Sequence, residues 1–170
     1  MELSGLAAKH VPIRLAPGRL GFDLIYLAAP YWHDDPAVRR ARVECCTRMV
    51  NSLAFRGFFA YSPPTYGNAC EMIAAPHPIG EPYWHEHSMG MLHHAQRLIV
   101  LGLPGWEVST GIMRELREWY AWGMPTPLFV RPKFYATGRD RLSHFDATRT
   151  VAALLPRLDA RPMMAATAKQ

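Results

Sequence analysis

The sequence predicts an α/β protein: a doubly wound parallel sheet with helices on both faces. Two short, continuous apolar runs, DLIYLAA at 23–29 and RLIVLGL at 97–103, read as strands buried on both faces, which is the mark of a parallel sheet. Segments of helical period alternate with strands across short links, the pattern of successive βαβ units. The 170 residues suit one hydrophobic core, and about half are apolar, enough to fold without disulfide or metal staples.

The elements follow in order. Residues 1–21, with Pro12, Pro17, Gly18 and Gly21, read as an irregular arm before a single domain over 22–160; residues 161–170 read as a frayed tail. The first strand, 23–29, stops at Pro30. Asp34 or Asp35 caps a helix that has Pro36 in its first turn and runs to about Phe55. Its Val38, Val43, Cys46, Met49, Val50 and Leu53 recur at helical spacing, and Gly57 stops it. A second strand spans 58–61. Residues 65–82, rich in Pro, Gly and Asn, read as a long loop. A helix over 82–95, the third strand over 97–103, a helix over 109–123 and a fourth strand over 126–130 come next. A weaker fifth strand falls at 133–137, and a last helix at 143–158. In open sheets of this kind ligands bind beyond the carboxyl ends of the strands, so the loops at 28–35, 62–82 and 103–111 are the ones to watch.

Composition narrows the function classes. Net charge is +5, but Lys and Arg are scattered and no block of five or six like charges appears. That describes a solvated basic surface, not a nucleic-acid footprint. Cys45, Cys46 and Cys70 are odd in number and lack a CxxC spacing, against both a disulfide framework and a zinc site. No signal peptide and no apolar stretch of about 18 residues is present, so a cytoplasmic protein without a membrane span is expected. His85, Glu86, His87, His93 and His94 do not form HExxH and read as surface or satisfied side chains; no metal and no cofactor are expected.

The chemistry centres on the helix at 109–123. At about 100° per residue, Ile112, Leu116, Trp119 and Gly123 share one face, and Arg114, Arg117 and Glu118 the other. Glu115 falls roughly 60° from Ile112 and roughly 40° from Trp119, on the apolar side. A carboxylate there loses solvation unless something pairs or uses it. The bland alternative is a boundary Glu bonded to Arg114, Arg117 or a backbone amide. Ser109 is a good N-cap, the free N–H groups of the first turn attract anions, and Gly111 allows close approach to the backbone. Gly111 and Glu115 stack on one side, so an anion at Ser109 would lie roughly 6–9 Å from the carboxylate. A simply capped helix is the plainer reading. Tyr83, Trp84 and Trp106 suit either base stacking or packing.

The segment RLIVLGLPGWEVSTGIMREL followed by AWGMPTPLFV, the opening IYLAAPYW before an Arg-bearing helix, and the strand end FFAYSPPTY together resemble the nucleoside 2-deoxyribosyltransferase superfamily, most closely a bacterial and phage branch of it. The resemblance covers about 24–130. It implies a flavodoxin-like fold with a five-stranded parallel sheet and a catalytic glutamate at Glu115. It implies Tyr26 as an aromatic bonding near that nucleophile, and Ala29, Pro30 and Tyr31 as a loop contacting sugar or phosphate. Ser109 stands where transferases on free nucleosides carry an Asp, and the related 5′-monophosphate N-glycosidases carry Ser there. A hydroxyl at a helix N-terminus welcomes a phosphate that an Asp would repel. Arg42 matches a recurrent Arg of the branch, as a ligand contact or as a structural Arg. Two departures stand out: Gln96 occupies a common Asp position, and Ala-Pro-Tyr-Trp replaces a glycine-rich first loop.

The mechanism implied is double displacement, with Glu115 attacking C1′ and a second base or water resolving the ester with retention. Tyr66, His77 or a neighbouring subunit would serve the leaving base, and a homo-oligomer is implied by the same resemblance. A non-catalytic nucleotide-binding module, or another reaction such as NAD cleavage, remains open on this fold.

Overall fold

A computed structural model describes residues 23–74, 79–131 and 147–159. Among them, four parallel strands form one sheet in the order β2-β1-β3-β4: β1 (Leu24–Ala28), β2 (Phe59–Tyr61), β3 (Arg97–Leu101) and β4 (Leu128–Val130). The helices are α1 (Pro36–Ala54), α2 (Pro63–Ala74), α3 (Glu81–His93), α4 (Thr110–Ala121) and α5 (Ala147–Asp159). The α/β class and the parallel sheet expected from the apolar runs are what the chain adopts. The first arm, the fifth strand at 133–137 and the tail at 161–170 lie outside the described residues.

The two central strands are buried on both faces because each face has its own core. Ile25 and Leu27 of β1 and Ile99 and Leu101 of β3 point to one side, where Cys46, Met49 and Leu53 of α1 and Val151, Leu154 and Leu158 of α5 cover them. Tyr26 and Ala28, with Leu98 and Val100, point to the other, against Leu92 of α3 and Ile112 and Trp119 of α4. The strand period of two thus sorts one continuous apolar run into two layers. Gln96 ties the sheet at its start. Its amide oxygen accepts the Leu24 N–H at 2.6 Å, and its own N–H donates to the Leu24 carbonyl at 3.0 Å.

The α1 start matches expectation: Asp35 Oδ1 accepts the Ala37 N–H at 2.7 Å, with Pro36 at the first helical position. One expectation fails. The stretch 65–82 is not a long loop, because α2 occupies Pro63–Ala74 and α3 begins at Glu81. Two prolines open α2, where the missing N–H groups would have no partner in any case. Tyr66 N–H closes the first turn on the Ser62 carbonyl at 3.1 Å. Among the described residues no helix is long and apolar enough to cross a membrane.

Candidate active site

Glu115 sits in the second turn of α4, 8 % exposed, beside Ile112 and Trp119 as its helical position predicts. Its partner is neither an arginine nor a backbone amide. The Tyr26 hydroxyl, from the middle of β1 and wholly buried, donates to Glu115 Oε1 at 2.7 Å. Among the described residues Oε2 has no hydrogen-bond partner. Burial pushes the Glu115 pKa up to about 7, against the opposing pull of the Tyr26 hydrogen bond and the Arg114 charge. Burial, then the nearby Glu115 charge, raise Tyr26 well above the usual phenol range, so Tyr26 stays a donor. Arg114 itself bonds His85 Nδ1 at 2.9 Å.

Tyr61 extends the site. It is the register partner of Tyr26 on β2, so its ring emerges on the same face, 5.7 Å from the Tyr26 ring. Its hydroxyl lies 3.1 Å from His87 Nδ1 on α3. Burial raises Tyr61 to about 12, and the buried Ser88 hydroxyl, which faces both phenols, lowers each somewhat. His87 is enclosed by rings: Tyr66 of α2 stacks on it at 5.2 Å and 4°, Tyr83 lies at 5.9 Å and 28°, and Trp84 meets it edge-on at 5.8 Å. Tyr66 and Tyr83 are about half exposed. The aromatic row therefore runs from the buried carboxylate to the surface.

The other expected residues frame the carboxyl ends of β1 and β3. Ala29, Pro30 and Tyr31 follow β1; the Tyr31 hydroxyl donates to Asn68 Oδ1 of α2 at 3.3 Å. Ser109 is the N-cap of α4, accepting the Ile112 N–H at 3.5 Å. A Cβ built on the exposed Gly111 would meet only Ser109 Oγ, at 3.9 Å, so the backbone there is open to approach. Arg42 is buried, and its terminal nitrogens donate to the carbonyls of Tyr31, Trp32 and Pro104. This supports its structural reading: it ties the loop after β1 to the loop after β3. Gly105, at φ +88°, turns the chain where the guanidinium passes 3.0 Å from a built Cβ. Trp106 leaves the stacking set and packs on Phe129 at 5.5 Å. His77 lies outside the described residues. An open groove of about 400 Å³ between β4 and α5, lined by Arg131, Arg149 and Arg157 among others, holds none of these groups.

Sequence reasoning did not assign Tyr61, His87 or Ser88 to the site. The signal was there in part. Tyr61 closes the short strand that pairs with β1, and Tyr83 and His87 are four apart on one helical face. What the sequence did not carry was α2, which brings Tyr66 onto His87.

The fold and site define a parallel α/β protein with a buried carboxylate held between its first strand and the helix after its third. The chain belongs to the family described as domain of unknown function (DUF1937), which residues 23–130 match. No curated protein matches it.

Proposed function

We propose that the protein cleaves or transfers the N-glycosidic bond of a nucleoside or nucleoside 5′-monophosphate through a covalent glycosyl ester on Glu115. One observation carries this reading: a buried carboxylate with one oxygen held by a tyrosine and the other without a partner. A nucleophile must be oriented yet keep a free lone pair, and Tyr26 supplies the orientation without neutralising the charge. Oε2 attacks C1′ as the C1′–N bond breaks and the base takes the bonding electrons. Water or a second base then displaces Glu115 from C1′, giving retention by two inversions. The open Ser109–Gly111 turn at the start of α4 favours a 5′-phosphate or hydroxyl one to two turns from the carboxylate. The resemblance in the segments around Tyr26, Tyr61 and Glu115 supports the same chemistry. By that resemblance a second copy of the chain completes the site.

Attack requires the ionised carboxylate, so the rate rises with pH through about 7, where Glu115 loses its proton. The test is release of free base from a panel of nucleosides and their monophosphates, followed by chromatography. Wild-type protein releases base from at least one, and Glu115→Ala lowers the rate by about 10⁴-fold or more, the scale on which loss of a nucleophile acts. Tight binding of a nucleotide with no base released would instead define a binding module.

A further inference from the structure

The geometry points to Tyr61 and His87 as a proton relay to the departing base, with Tyr61 the group that touches the base and His87 the residue that recharges it. The inference rests on the glycosidic reading above and supplies the step which that reading leaves open. A purine or pyrimidine leaves as an anion unless it is protonated as the C1′–N bond breaks, so an enzyme that runs this reaction needs a donor on the base side of the sugar.

Tyr61 has the position for it. Its ring is next to Tyr26, whose hydroxyl touches the attacking carboxylate, yet its own hydroxyl turns toward α3 and meets His87 Nδ1. A phenol raised to about 12 keeps its proton at neutral pH and is a weak acid on its own. The histidine removes that weakness. As the base nitrogen takes the Tyr61 proton, Tyr61 oxygen takes one from His87 Nδ1, so no tyrosinate accumulates. The proton that His87 gives up is replaced from solvent, and the base departs neutral. The groups facing His87 are Tyr61 from β2, Tyr66 from α2, and Tyr83 and Trp84 from its own helix. The Tyr66 and Tyr83 rings, stacked over His87, hold its imidazole in place at the Tyr61 hydroxyl. The half-exposed rings of Tyr66 and Tyr83 offer a surface for the base between solvent and Tyr61.

The experiment compares two leaving groups in the full-length protein. One is 2′-deoxyguanosine 5′-monophosphate. The other is its 7-methylated form, whose base is already cationic and departs neutral without a proton. Tyr61→Phe and His87→Gln are assayed on both, with uncatalysed release subtracted and melting curves confirming the fold. Each variant lowers guanine release by about 10²–10⁴-fold and 7-methylguanine release by less than tenfold. Gln can still bond Tyr61, so full activity in His87→Gln overturns the relay in favour of a structural hydrogen bond. Equal losses on both substrates overturn it too, as does a wild-type protein that releases 7-methylguanine but no guanine. Release of neither base, with none released from the wider panel of nucleosides and monophosphates either, rejects the glycosidic function itself, and the relay with it.

Discussion

Glu115 is a residue whose placement works against folding. A carboxyl with a folded pKa of about 7, against an ordinary value of 4.5, binds its proton more tightly in the native state than in the unfolded chain. Its stabilising contribution is therefore full below about pH 4.5 and is lost as pH rises through about 7. Above that range the buried charge costs about 3 kcal/mol. Glu115→Gln keeps an oxygen for Tyr26 and removes the charge. It should raise the melting temperature at about pH 8.5 by about 5 °C or more, and change it little at about pH 5. A difference independent of pH would mean that Glu115 is solvated or paired. This carboxylate was legible in the sequence, because the helical angle alone put it beside Ile112 and Trp119. Its bond to Tyr26 spans 89 positions and no local period encodes it; only the resemblance linked the two residues.

At the scale of elements, strand runs were easier to read than helices with unusual composition. Past Arg97 at the start of β3, β1 and β3 are apolar because both faces are covered, and that leaves an unambiguous trace. α2 leaves the opposite trace: Pro63, Pro64, Gly67 and Asn68 look like loop chemistry, yet the prolines fall in the first turn where they are tolerated. Packing then settles the matter, since the Trp84 ring lies 3.7 Å from a Cβ built on Gly67 and its indole N–H donates to Glu71. Arg42 shows how one element sets the position of two others. Its fork holds carbonyls from the loops after β1 and β3, and removing it strips three part-buried acceptors of their donor. Arg42→Ala should cost about 2–4 kcal/mol and lower the melting temperature by about 5–10 °C. Arg42→Lys should recover little, because an ammonium lacks the planar fork. An unchanged melting temperature with weakened nucleotide binding would assign Arg42 to the ligand instead.

At the scale of the whole molecule, the two cores divide the labour. The face carrying Tyr26, Tyr61 and Glu115 holds the candidate catalytic groups, while the larger apolar core on the opposite face joins β1, β3, α1 and α5. The family match ends at residue 130, yet Val151, Leu154 and Leu158 of α5 complete that apolar core. The sheet supporting the site therefore depends on a helix outside the matched segment. Cys45 and Cys46 report on this core from within. Burial pushes their thiols up to about 11 and about 12, so at neutral pH they react only after the core opens, whereas the half-buried Cys70 is the accessible thiol. Leu158→Ala removes a side chain that is 1 % exposed and should cost about 2–5 kcal/mol. If α5 and α1 open as one unit, that loss appears in full in the labelling kinetics. Modification of Cys45 and Cys46 should accelerate by about 30-fold or more while Cys70 labelling stays nearly constant. Unchanged labelling of the buried pair in a measurably destabilised variant would show α5 opening alone, leaving α1 and the sheet to stand without it.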